Sequence, residues 1–144
     1  MFKAGCDFVM INRAMFEVKS FSRIAIEREV LNTLELYFGN RCAVVCITKD
    51  MLIRTGAEES ELEGVAAMPR EVEGVLVGIT LRQRDNGYKI SVRSGEEVDA
   101  SVLCGKLGGG GHRCAAGCFI EGDLENAKKT ILELVSESLG EVKE

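Results

Sequence analysis

The Asn86-Gly87 pair, set between alternating runs at 75–84 and 88–94, constrains the fold of this chain more than any other feature. Asn-Gly is the preferred filling of a two-residue type I′ turn, so the two runs are expected to be neighbouring antiparallel strands. A loop at Asn86-Gly87 then sets the register. Arg84 faces Lys89, Arg82 faces Ser91 and Thr80 faces Arg93 on one side, with Leu81 beside Val92 and Ile79 beside Ser94 on the other. One face becomes core, while the other gathers Arg82, Arg84, Lys89 and Arg93. Like charges on one bare face destabilise a sheet, so the pattern calls for nearby carboxylates or a bound anion.

Around this hairpin, helical and strand-like segments alternate. Residues 7–38 read as helical, with Phe21, Ile24, Leu31, Leu34 and Phe38 near helical spacing, Ser20 or Ser22 as cap and Gly39-Asn40 as stop. The β-branched run 41–48 reads as a buried strand. Residues 49–67 suggest two short helices around Gly56, ended by Met68-Pro69 because a residue before proline resists the α conformation. Asp99 is a natural N-cap for a helix over 100–107, which Gly108 ends in the left-handed conformation. A strand around 118–121 follows, and Asp123 caps a last amphipathic helix bearing Leu124, Ala127, Ile131, Leu134 and Val135. The expected architecture is α/β: a single domain over 40–144, its central mixed sheet flanked by helices, preceded by a helical interdomain linker over 1–39.

The totals agree with an ordinary globular domain, since 46% of the 144 residues are hydrophobic and 28% charged. Asp7 and Arg13 break the amino-terminal apolar residues before a signal peptide can form, and no run approaches a membrane span. A cytoplasmic protein with no membrane partner is expected, its six cysteines reduced. Cys42 with Cys46 and Cys114 with Cys118 lack the tight four-ligand pattern of a zinc site and read as small buried hydrophobes, as do Cys6 and Cys104. A net charge of −5 argues against a general nucleic-acid binder. Positive charge is nevertheless local: residues 81–113 hold six cations against four anions, +2 in a chain whose remainder carries −7.

Within that stretch lies Gly108-Gly109-Gly110-Gly111-His112. Four glycines are costly in backbone entropy, and a folded domain uses them where φ must be positive or where something closely approaches the backbone. Their N–H groups can form a nest for an anion, most readily if Gly111 and His112 open a helical turn, with the imidazole donating to a phosphate or sugar oxygen. The plain alternative is a flexible loop with an incidental histidine. Arg82 and Arg84 read most simply as a solvated strand face; Arg93, beside the glycines, is the better phosphate ligand because guanidinium binds it bidentately.

The run G-G-G-G-H-R-C-A-A-G over 108–117, preceded by Ser91-Val92-Arg93-Ser94, resembles the signature of the DHH-associated domain, subtype one, of the DHH superfamily phosphoesterases. The similarity is to the oligoribonuclease (nanoRNase) and 3′-phosphoadenosine 5′-phosphate phosphatase branch, related to exopolyphosphatases, and covers nearly the whole chain as a carboxy-terminal part. It implies that Arg93, Ser94, Gly108, Gly109, Gly110, Gly111 and His112 hold the end of a nucleotide or short single-stranded RNA or DNA; Arg82, on the same strand face, is a further candidate phosphate contact from its charge alone. It also implies that hydrolysis belongs to a DHH catalytic domain, in cis or in trans, whose two divalent metals are usually manganese. With one histidine and no Asp-His-His motif, this chain offers no catalytic residue and no metal site of that kind. A homodimer stays open. Two other readings remain: a stand-alone nucleic-acid-binding module without hydrolase activity, as related domains accompany alanyl-tRNA synthetases, and an adenine-nucleotide sensor. Stacking platforms look scarce, with no Trp and Tyr88 the aromatic near the site, which favours short substrates.

Overall fold

The computed structural model describes residues 18–140, and the expected helical segment before residue 18 lies outside them. Helix α1 (Phe21–Leu31) starts where Ser20 accepts a hydrogen bond from the Arg23 N–H at 3.1 Å. It is shorter than expected, and its buried side is Ala25, Ile26 and Val30. Phe21, Ile24 and Leu31 form a regular stripe but point outward, with Phe21 82% exposed. Both stripes on this helix are apolar, so periodicity alone does not say which one the sheet covers. Leu34 and Phe38 are not on the helix at all. Strand β1 (Glu35–Tyr37) pairs antiparallel with β2 (Cys42–Ile47). The Gly39-Asn40 pair turns that hairpin instead of stopping a helix, with Phe38, Gly39 and Asn40 all at positive φ.

Every residue of β2 is buried, as its apolar run requires. A crossover then leads to a parallel partner through α2 (Lys49–Thr55), which Gly56 closes in the left-handed conformation, a 3₁₀ turn at Glu59–Glu61, and α3 (Glu63–Ala67). Met68 before Pro69 stays helical: α3 runs on into a second 3₁₀ turn (Met68–Glu71), where proline is tolerated at an early position. Strands β3 (Val77–Gln83) and β4 (Gly87–Ser94) form the expected hairpin, and α4 (Ala100–Gly105), β5 (Gly110–His112), β6 (Ala115–Glu121) and α5 (Leu124–Gly140) complete the chain. The six strands form one mixed sheet in the order β1-β2-β3-β4-β6-β5.

Side-chain alternation divides the sheet into two faces. On one, Cys42, Val44, Val77, Ile79, Leu81, Ile90, Val92 and Ala116 are sealed by α4 and α5 through Leu103, Cys104, Ala127, Ile131, Val135 and Leu139. On the other, Val45 and Ile47 are covered by Ile26 and Val30 of α1 and by Leu62 and Val65 around α3. This second cover is centred on β2 and β3 and only its α3 end overhangs β4, so the same face of β6 and β5 is left open.

The hairpin register differs from expectation by two residues. Arg82 lies opposite Lys89, Thr80 opposite Ser91 and Gly78 opposite Arg93. The loop is Asp85-Asn86, closed by the Arg84 N–H donating to the Gly87 carbonyl at 2.8 Å. Gly87 belongs to the strand because a Cβ there would meet the Ile120 carbonyl of β6 at 2.3 Å. A slip of two preserves the faces, so the separation of core from cations stands.

Candidate functional site

Strand register places the candidate residues in rows across the open face. One row runs His112, Ala115, Arg93, Gly78; the next runs Gly110, Gly117, Ser91, Thr80. His112 and Arg93 therefore share a face with one small residue between them, about 10 Å apart at the backbone. Alanine and glycine keep the floor low, and both longer side chains rise from it.

Each glycine of the run has its own cause. Gly108 (φ +79°) sits in the left-handed conformation after α4. Its N–H donates to the Gly105 carbonyl at 3.1 Å, and the Gly109 N–H donates to the Cys104 carbonyl at 3.0 Å, the paired bonds of a Schellman cap. A Cβ at Gly109 would meet the Gly117 carbonyl at 2.2 Å, and one at Gly111 (φ +150°) would meet the Ala116 Cα at 2.6 Å. Gly110 differs. It is exposed, its φ is not positive, and a Cβ there would find nothing within 4 Å. The fold explains three glycines, and no packing or backbone demand in the described residues requires the fourth, Gly110. Contrary to expectation, Gly111 and His112 open no helical turn: the run is an edge strand, with one side of its backbone unpaired in the sheet.

Ser94 is on the opposite side from Arg93. It is 7% exposed, and its hydroxyl donates to the Val98 carbonyl at 2.8 Å, with the Arg113 carbonyl at 3.3 Å. Its N–H donates to the Cys114 carbonyl at 3.0 Å. Ser94 thus pins the β5–β6 turn to the end of β4, fixing His112 relative to Arg93, and does not face the open side.

The cations divide into paired and free. Glu59, from the crossover, lies 2.5 Å from Arg82 and 3.5 Å from Arg84, the carboxylate that the crowded face demanded. The Arg82 hydrogen bond and its charge hold the Glu59 carboxyl below the usual range. Lys49 pairs with Asp85. Arg113 turns away to Asp99 and to the Glu96 carbonyl. Among the described residues, no ion pair or hydrogen bond engages the side chains of Arg93, Lys89 or His112. Arg93, Lys89 and Ser91 line one wall of a cleft of about 320 Å³ whose other wall is Glu59, Leu62 and Glu63.

The aromatic on this face is one that sequence reasoning missed. Tyr88 is 8% exposed and lies in the core, whereas Phe119, opposite Lys89, is 40% exposed on the open side. Phe119 sits in an apolar run that gave no reason to separate it from the core. Among the described cysteines, Cys42, Cys46, Cys104 and Cys118 are buried as expected, and burial pushes the Cys42 thiol up to about 12, whereas Cys114 is exposed on the β5–β6 turn instead of buried; Cys6 lies outside the described residues. Among the described residues, no group of three or more His, Cys, Asp or Glu side chains is placed to hold a metal ion. Nor, among them, is any helix long and apolar enough to cross a membrane.

A family model described as the DHHA1 domain matches residues 39–141. The bifunctional oligoribonuclease and PAP phosphatase NrnA of Thermus thermophilus is 37% identical over 131 residues. That match takes in 90% of this chain and 38% of the relative, so the chain spans under two fifths of the curated protein it resembles. Among solved structures, an exopolyphosphatase-related protein from Bacteroides fragilis superposes with a TM-score of 0.86 at 26% identity, covering 97% of this chain and 42% of that one. The pGpG-specific phosphodiesterase PggH of Vibrio cholerae shares the fold at a TM-score of 0.55 and 12% identity, over 83% of this chain and 39% of that one.

Proposed function

The chain belongs to the DHHA1 domain family, and from that premise we propose that it is the substrate-holding part of a DHH-type phosphoesterase of the oligoribonuclease and 3′-phosphoadenosine 5′-phosphate phosphatase type. Arg93 and His112 grip a phosphate of a nucleotide or short oligonucleotide from two sides, and the glycine run, Gly108 and Gly109 in the cap after α4 and Gly110 and Gly111 in the edge strand, brings its backbone against the ligand. Arg82 adds charge from behind Glu59. Residues 1–39 serve as the connection toward a DHH domain, in the same polypeptide or a separate one, and residues 40–144 as the binding domain. Hydrolysis in this reading belongs to divalent metal, manganese, held by that other domain. The donors described in this chain do not form such a centre, so no chemical step is assigned to its residues.

The observation that carries the proposal is the row His112–Ala115–Arg93: a guanidinium and an imidazole without protein partners among the described residues, above a floor of small side chains. An Arg without a protein partner among the described residues, lining an open cleft, suits a charge-assisted bond to an anion. Titrating a nucleoside 5′-monophosphate into the chain at low salt, followed by calorimetry, tests it. Binding should weaken as salt rises, and Arg93→Ala or His112→Ala should each lower affinity by about 1–3 kcal/mol. Equal affinity in the parent and both variants would remove these residues from the site. Adding a DHH domain then separates the phosphoesterase part from a free-standing binding module, since only the former restores hydrolysis.

A further inference from the structure

The open face has a second end. Along β4, Arg93 and Lys89 are four residues apart, about 13 Å at strand rise. At Lys89 the row reads Arg82, Lys89, Phe119, and β5 does not extend that far, so Phe119 stands at the margin of the sheet. Its ring leans over the backbone of β4: a Cβ at Gly87 would meet the Phe119 Cζ at 2.9 Å. Glycine at 87 therefore lets the ring lie down across the strand instead of standing off it, and the ring stays 40% exposed. Beside it opens a cleft of about 760 Å³ whose lining includes Leu52, Arg82, Arg84, Lys89 and Phe119 together with the Lys49–Asp85 ion pair. That volume lies in the range of ligand sites, roughly 300–1,000 Å³.

We propose that Phe119 is the platform of a second subsite, on which the nucleobase next to the terminal nucleotide stacks while Lys89 holds the phosphate between them. This rests on the reading of Arg93 and His112 above and deepens it: the site takes a dinucleotide or longer chain in preference to a mononucleotide. An exposed ring bordered by cations, with no aromatic partner among the described residues, is the arrangement that accepts any base by its flat face. Lys89 sits in the same row as the ring, directly across from it, without an ion pair among the described residues, and its long side chain can reach back toward Arg93.

The test compares 5′-phosphorylated adenosine and the 5′-phosphorylated adenylyl dinucleotide, titrated into the 144-residue chain at low salt and followed by amide chemical shifts. The dinucleotide should bind roughly tenfold more tightly, as base–aromatic stacking provides. Phe119→Ala should remove most of that advantage and leave the mononucleotide unchanged. Phe119→Leu, which keeps apolar bulk on the strand, should do the same, and an unchanged spectrum away from β6 shows that the fold is intact. Arg93→Ala should weaken both ligands. An unaltered ratio in both Phe119 variants, with Arg93→Ala still weakening both ligands, overturns the second subsite and leaves the first standing. No binding of either nucleotide overturns both.

Discussion

Substituting the adjacent glycines of β5 separates what the fold needs from what a ligand needs. Gly111→Ala puts a methyl group 2.6 Å from the Ala116 Cα and 2.7 Å from the Ala115 carbonyl, at φ +150°, and both obstacles are backbone. Backbone strain of this kind costs about 1–3 kcal/mol and overpacking about as much again. The chain has a cheaper escape, because all three residues of β5 are exposed and the strand can peel from β6 without uncovering core of its own. The loss is then capped by the few ladder bonds released, at about 1 kcal/mol each, giving about 2–3 kcal/mol in all. For a domain of this size that lowers the melting temperature by roughly 4–12 °C. Gly110→Ala meets nothing within 4 Å and should change stability by less than about 0.5 kcal/mol. Thermal unfolding followed by circular dichroism measures both, and amide exchange at residues 115–117 reports whether β5 has detached. If the nucleotide backs onto this strand, Gly110→Ala weakens its binding while sparing the fold. Equal destabilisation by the two substitutions, or a neutral Gly111→Ala, would refute the register assigned to β5.

Glu59→Gln should release Arg82 and Arg84 from their shared carboxylate, tightening binding of short oligonucleotides and steepening its salt dependence; titrations at two salt concentrations decide it. Ser94→Ala should lower the melting temperature and loosen the β5–β6 turn, with its loss of nucleotide affinity smaller than that of Arg93→Ala, as calorimetry would show. Among the cysteines described, Cys114 should react quickly with iodoacetamide while Cys42 and Cys104 stay protected in the folded protein, which mass mapping of the adducts would reveal. The Cys42 thiol is raised by burial to about 12, so it remains protonated in the fold at pH values where an unfolded thiol ionises. Its contribution is complete below the unfolded value and lost as pH climbs toward about 12. Melting temperatures measured upward from pH 8 should fall over that window, and a flat profile would contradict the assignment.

Sequence reasoning reached the elements whose cause is local. The Asp99 side chain accepts from the Ser101 and Val102 N–H groups, and Gly108 turns left-handed, as cap chemistry alone requires. The two faces of the β3–β4 hairpin follow from strict alternation, which survives a two-residue slip. The slip itself came from β6: Gly87 must touch Ile120 and Glu121, a contact between distant parts of the chain, so the turn moved to Asp85-Asn86. The same kind of contact made a strand of the glycine run, because Gly109 and Gly111 are small for the sake of Gly117 and Ala116. On α1 the outward stripe of Phe21, Ile24 and Leu31 had the same period as the inward one. Phe119 was hidden for a related reason, since strand alternation places it on the open face only once β6 is known to lie against β4.

The most direct test of the account is a crystal structure of the chain with a nucleoside 5′-monophosphate. The phosphate should lie between Arg93 and His112 on the open face, with hydrogen bonds of about 2.7–3.0 Å to the guanidinium. A phosphate bound only among Lys49, Arg84 and Lys89, or a nucleotide seated away from β4 and β5, would contradict it.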